Sequence, residues 1–495
     1  MSLPVQNASV APVPRKRMLI DGEWVEAASG RVFETYNPAN GEHLADIAEG
    51  QKEDVDRAVA AARRAFENPL WRRARPTERQ AILLRLADLL EENFEELARL
   101  DTLDMGMPIT FSRSRKTRLL NFLRYYASLT VTQTGGETVQ NSLAADIFTY
   151  TVKEPVGVVG AIMPWNSPLT QTIMKVGPVL ASGCTVVLKP SEEASLAALR
   201  MGELFEKAGV PAGVVNIVTG FGKSVGAALA DHPGVDKISF TGSNATGQRL
   251  IEASKGNLKR LTLELGGKSP HIIFADADLD AAVPVAAMAC FSNSGQICSA
   301  GSRLLVERPI YDEFMQRVAD YAKSLTIGDG LDPATQIGPI VSRTQFERIQ
   351  TFIRRGLDEH LTFLAGMDPL DEPSLKTGHF IRPTVIAGAD NSMKISREEI
   401  FGPVLVGMPF DSFDQAMQIA NDTDFGLGAG VWTRSVSTAH QSARAIRSGT
   451  VWINTYAVLD PAVPFGGFKT SGIGREQGRH QLDAYFEEKS VYLNL

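Results

Sequence analysis

The chain has 495 residues, 44% hydrophobic and 22% charged, with a formal net charge of -7. That length exceeds one ordinary core and predicts two or three domains, while the balanced composition excludes disordered and repetitive classes. The acidic balance offers no basic surface for nucleic acid or an anionic membrane, and no uncharged apolar run reaches the length of a membrane span.

The opening "MSLPVQNASVAPVPRKRM" scatters its prolines and ends on its charges, the reverse of a secretory leader, and reads as a loose tail. "MLIDGEWVEA" and "RVFETYNPANGE" alternate apolar and polar residues around DG and NPANG turns and predict short strands. Residues 53–67 and 77–105 repeat apolar residues at helical spacing and predict two helices, the second stopped by Gly106. From Val156 the runs "VGVVGAIMPW", "CTVVLKP", "VVNIVTG" and "KISFTG" alternate with helical stretches, which predicts a parallel, doubly wound sheet with ligands at the carboxyl ends of its strands. A second alternation starts near Lys268, so two α/β lobes are expected. Segment 137–155 alternates as a strand pair would, and "YFEEKSVYLNL" also reads as a strand; these pieces are expected to pair outside both lobes and carry subunit contacts.

Three cysteines cannot all pair within one chain, and none belongs to a CxxC or Cys/His cluster, so a reducing, cytoplasmic setting without a structural metal is expected. Cys184 in "GCTVVLKP" and Cys290 in "VPVAAMAC" read as buried and inert. Cys298 differs, since "FSNSGQICSAGSR" surrounds it with small polar residues and leaves the thiol reachable.

Two stretches raise nucleotide binding. "GFGKS" ends like the phosphate loop of a nucleotide hydrolase, but Ile217 stands where that motif requires glycine. "FTGSNATG" follows a strand and opens a helix, where Gly242 and Ser243 would leave backbone amides free for phosphate. In "LKPSEEA", Lys189 and Glu192 leave a strand end where a ribose would lie, and a carboxylate there repels a 2′-phosphate; a plain helix cap is the alternative.

Cys298 is joined by "PWNSPL", "ELGGKSP", "EEIFGPV", "GTVWIN" and "PFGGFKTSGIGRE". In this order they resemble the NAD(P)-dependent aldehyde dehydrogenase superfamily, from about Leu19 to the end. The resemblance implies a Rossmann-like NAD-binding domain (1–136 and 156–265), an α/β catalytic domain (266–475) and a small β oligomerisation element (137–155 and 476–495) in a homodimer or homotetramer. Cys298 would be the nucleophile, Asn166 an oxyanion donor and Glu264 the base that hydrolyses a thioester, the mark of an acid-forming enzyme. Lys175 and Glu476 would be a proton-relaying pair, with a surface ion pair as the alternative. Trp165, Lys189, Glu192, Gly242, Ser243, Glu399 and Phe401 would hold NAD, with NADP less favoured.

Around the thiol, Ser167, Met174, Ser292, Ile297, Ser299 and Leu459 replace an aromatic cage, and no arginine is read among them. A medium or bulky uncharged aldehyde, aliphatic or aromatic, is therefore expected as substrate. The rival readings are a catalytically retired homologue, which should lack the Cys, Glu or Asn, and a phosphate-loop hydrolase.

Overall fold

Five apolar runs lie side by side in the computed structural model, which describes residues 15–142 and 146–494. They are Val158–Ile162, Thr185–Lys189, Val215–Ile217, Lys237–Thr241 and Arg260–Glu264, all parallel. Numbered in chain order they run 3-2-1-4-5 across the sheet, the doubly wound arrangement whose winding reverses between the first and fourth strands. Helices cover both faces, which is why these strands read as continuous apolar runs. Met18–Ile20 and Glu23–Val25 extend one edge antiparallel, and Gly472–Ile473 returns from far along the chain to the other edge.

A second, seven-stranded sheet is parallel except for Thr362–Ala365 at its edge. Its first strand, Pro270–Ile273, follows Arg260–Glu264 after only residues 265–269, so the carboxyl end of one sheet abuts the amino end of the other. Helix Leu279–Phe291 then carries the chain back to that same amino end and releases the Cys298 loop before strand Arg303–Glu307 begins. The expectation that ligands lie at carboxyl strand ends therefore suits the first sheet and is inverted for the second.

Ile147–Pro155 pairs antiparallel with Phe486–Asn494 over nine residues, apart from both large sheets. The strand pair expected within 137–155 reduces to a bridge between Thr138 and Tyr150; residues 143–145 lie outside the described part, as do residues 1–14 of the expected tail. Its last residues are strand, since Arg15–Lys16 and Met18–Ile20 pair with the body.

Lys52–Glu67 is helical as its pattern predicts, whereas 77–105 forms two helices, Pro76–Glu92 and Phe94–Met105. Asn93 breaks them: its side-chain amide donates to the Leu89 carbonyl, 2.7 Å away, a local bond that competes with helix continuation. Left-handed Gly106 ends the second. Among the described residues no helix is long and apolar enough to cross a membrane.

Candidate active site

The polar residues before Cys298 hold its loop in shape. Asn293, Ser294 and Gly295 are all left-handed, with φ of 50°, 56° and 72°. Side-chain bonds fix this uncommon run. Asn293 Nδ2 donates to the Asn166 carbonyl (3.1 Å) and Ser294 Oγ to the Gly338 carbonyl (2.8 Å). Gln296 accepts from the Val341 N–H (3.0 Å) and donates to the Asn293 carbonyl (3.2 Å). A Cβ on Gly295 would stand 2.2 Å from the Gly402 carbonyl, so a side chain is excluded by contact as well as by φ. The loop presents a half-buried Cys298, while Cys184 and Cys290 are buried.

Cys298 lines two clefts at once. The larger, of about 410 Å³, takes in all six positions read as substrate-facing: Ser167, Met174, Ser292, Ile297, Ser299 and Leu459. The smaller, of about 210 Å³, is bordered by Trp165, Gly242, Ser243, Glu399 and Phe401. Asn166, Gln171, Thr241, Glu264 and Cys298 belong to both, so the thiol, the amide and the carboxylate singled out in the sequence share one junction.

Glu264 ends its strand at this junction, 3% exposed, and neither carboxylate oxygen has a hydrogen-bond partner among the described residues. Burial pushes its carboxyl well above the usual range, the Glu476 charge adds to this, and Lys175 and Arg475 oppose it. Burial likewise pushes the Cys298 thiol up to about 12, reinforced by the carboxylates of Glu399 and Glu264. Asn166 Nδ2 donates to the Gln296 carbonyl, 2.9 Å away, which leaves its second amide hydrogen for the cleft. The Cys298 N–H has no acceptor among the described residues. Gly267 is small for a reason, since a Cβ there would stand 2.5 Å from the Cys298 carbonyl oxygen.

Lys175 and Glu476 meet in a fully buried ion pair, and Lys175 Nζ also donates to Thr241 (2.8 Å) and Ser239 (3.1 Å). This excludes the solvated surface pair. On the other side, Trp165 and Phe401 meet edge to face with centroids 5.3 Å apart, and Glu399 Oε1 accepts from the Gly267 N–H at 3.0 Å. Burial raises the Glu399 carboxyl to about 7. Ser243 caps helix Asn244–Ser254 by accepting from the Thr246 N–H.

Lys189 and Glu192 pair at 2.8 Å at the carboxyl end of Thr185–Lys189, and neither borders the smaller cleft. Glu192 Oε1 also accepts from the Gly222 N–H at 3.1 Å. That amide is the one a phosphate loop would present to phosphate, residues Gly222–Gly226 form a single wide turn, and Ile217 lies within a strand. The hydrolase reading is thereby withdrawn.

Sequence reasoning missed Gln171 and Thr241, which line both clefts, and Gln345, whose Nε2 donates to the Phe401 carbonyl at 2.9 Å. It also took the larger cleft to be free of arginine, whereas Arg115 and Arg118 line it. Both come from the segment where helix Lys116–Thr132 begins, remote in sequence from every motif, and only the tertiary packing of that helix on Pro168–Ser182 brings them to the cleft.

A reachable thiol between a crevice at the switch point of a doubly wound sheet and a second, larger cleft, with an unpaired carboxylate lining both, is an arrangement that can bring two ligands together at sulfur. The chain belongs to the aldehyde dehydrogenase family, whose model matches residues 24–491. It is 47% identical to DhaS of Bacillus subtilis (strain 168) over 481 residues, 97% of this chain and 96% of that one. It is 45% identical to the mitochondrial benzaldehyde dehydrogenase of Antirrhinum majus over 486 residues, 96% and 88% of the two chains. The structure of a Bacillus cereus aldehyde dehydrogenase in complex with NAD+ superposes with a TM-score of 0.94 at 45% identity, covering 97% of each chain. The fold is the aldehyde dehydrogenase fold, and the chain is an oxidoreductase of that family.

Proposed function

We propose that the protein oxidises an aldehyde to its carboxylic acid with NAD, through a thiohemiacetal and then a thioester on Cys298. The observation that carries this reading is the junction itself, where Cys298, Asn166 and the orphaned Glu264 carboxylate line both clefts. The smaller cleft fits a dinucleotide end: it lies past the strands flanking the switch point and combines an aromatic edge, a helix amino terminus and the Glu399 carboxylate. Trp165, Gly242, Ser243, Glu399 and Phe401 would hold it there, with Lys189 and Glu192 on the adenosine ribose, where the Glu192 charge favours NAD over NADP.

Sulfur attacks the carbonyl carbon, the thiol proton passes to a base, and the new oxyanion is met by the Asn166 amide and the Cys298 N–H. NAD, when bound, supplies the acceptor that takes the hydride and so leaves a thioester on sulfur. Water then attacks the thioester carbon, Glu264 takes the water's proton, and the acid departs as the Cys298 thiol is restored. The pairing of bases and acids is coherent, because an ordinary carboxylate is a poor match for a thiol pushed up by burial, and Glu264 is itself raised. Lys175 and Glu476, packed beside Glu264, would relay its proton.

The volume and adaptable methionines of the larger cleft favour a medium or bulky aldehyde, aliphatic or aromatic, while Arg115 and Arg118 in its lining remove the ground on which an uncharged one was expected. Presence of Cys298, Glu264 and Asn166 argues against a retired homologue. Turnover is tested by NADH absorbance. Cys298→Ala should abolish it, and Glu264→Gln should release about one equivalent of NADH per site and then stall, with steady-state rate down at least ~100-fold. Full turnover by the Glu264→Gln protein would refute this division of labour.

We further propose the domain boundaries 1–136 with 156–265, 266–475, and 137–155 with 476–495, the last forming subunit contacts of a homodimer or homotetramer in the cytoplasm. The outer two-stranded sheet supports this, with Phe148 41% and Tyr492 67% exposed upon it.

A further inference from the structure

We propose that the larger cleft carries a subsite for a carboxylate at the far end of the aldehyde, with Arg118 as its specificity-determining residue. This rests on the aldehyde-oxidising reading of Cys298 and extends it to a substrate class.

Arg118 lines the cleft and is mostly removed from solvent, yet it has no hydrogen-bond or ion-pair partner among the described residues. A guanidinium lowered into a cleft gives up part of its hydration and is ordinarily matched by a carboxylate or carbonyl, because an unmatched one keeps that desolvation cost. Every charged influence on Arg118 is unfavourable: burial lowers its pKa to about 10, and the one charged group acting on it is the neighbouring cation Arg115. Its place on the chain adds to the mismatch. Arg118 sits in the first turn of helix Lys116–Thr132, which holds no acidic residue there, and the amino end of a helix favours anions over cations.

Arg115 shows what a matched arginine looks like in the same wall. Its two terminal nitrogens donate to Asp101 (2.7 Å), Ser112 (3.0 Å) and Thr170 (3.0 Å) and are buried with them, its Nε alone having no partner among the described residues. One free cation beside one committed cation suits a ligand of single negative charge. A terminal carboxylate, which a guanidinium can grip through two parallel hydrogen bonds, satisfies this better than a phosphate dianion, which calls for a second free cation. The same cleft is lined by Met174, Met288, Ile297, Leu459 and Phe465, apolar side chains that suit a hydrocarbon link between aldehyde and carboxylate.

The test measures kcat/KM for ω-carboxy aldehydes, from succinic semialdehyde upward, each against the methyl-ended aldehyde of equal length. At its best length the carboxylate should be favoured by about tenfold to a hundredfold, the size of a charge-assisted hydrogen bond. Arg118→Gln should bring that ratio near one and Arg118→Lys should keep part of it; a ratio is insensitive to a general loss of folded enzyme. A wild-type ratio at or below one at every length, or a ratio unchanged in Arg118→Gln, overturns the subsite. An ω-phosphate aldehyde preferred to the ω-carboxylate overturns the carboxylate assignment. NADH from methyl-ended aldehydes without a carboxylate preference removes the subsite alone, whereas no NADH from any aldehyde removes the oxidation reading. In that last case calorimetry with adipate and hexanoate decides the subsite: tighter adipate binding that Arg118→Gln abolishes upholds it, and equal binding overturns it.

Discussion

A buried carboxylate with no partner is uncommon enough to need a reason, and the role proposed for Glu264 as a base supplies one. Its isolation has a consequence for stability that does not depend on turnover. Because its folded-state pKa lies above the unfolded value, ionisation favours the unfolded chain, so stability falls as pH rises above the ordinary glutamate range toward the raised value. Glu264→Gln should therefore melt higher than wild type at about pH 8, by about 1–2 °C for ~1–2 kcal/mol of relief in a chain of 495 residues, and should match it at about pH 4. A thermal scan in which the variant melts lower at about pH 8 would show that Glu264 has stabilising partners in the fold. The carboxylate itself was legible in "ELGGK". Its orphaned state was not, because the absence of donors is a property of the packed surroundings, and the apolar run before it indicated burial alone.

At the scale of elements, the Cys298 loop is held between two sheets that meet end to end. The tie is Gly267, in the short crossing from Glu264 to Pro270, whose missing Cβ admits the Cys298 carbonyl. Gly267→Ala should displace the loop by a few tenths of an ångström or more and lower kcat by about tenfold to a hundredfold, with NAD affinity little changed. An unchanged kcat would mean the loop adapts without losing alignment. Alternation of short apolar runs with helices made the parallel sheets readable, and Gly106 marked a real helix end. The break at Asn93 was hidden because the apolar spacing continues through it, and a single side-chain bond to Leu89 decides it. Strand Gly472–Ile473 was hidden for another reason, as it completes a sheet built some two hundred residues earlier, a pairing that local pattern does not encode.

At the scale of the whole molecule, the buried Lys175–Glu476 pair clamps the C-terminal segment to helix Pro168–Ser182 beside the junction of the two clefts. Lys175→Met should cost ~3–5 kcal/mol by stranding a buried carboxylate, and adding Glu476→Leu should recover most of it; denaturation midpoints of the two proteins check this, and an equal loss in both would deny the stranded charge. The two-stranded outer sheet makes a separate prediction. On the proposed assembly, Tyr492→Asp, placed on its exposed face, should halve or quarter the mass read by light scattering, and an unchanged mass would deny this sheet the subunit contacts proposed for it. The central claim, acyl transfer through Cys298 with Glu264 as the deacylating base, is tested most directly by quenching Glu264→Gln after one turnover with NAD and an aldehyde, followed by mass spectrometry of the peptide containing Cys298. The account predicts a peptide heavier by the acyl group of that aldehyde. An unmodified peptide alongside a full equivalent of NADH would contradict it.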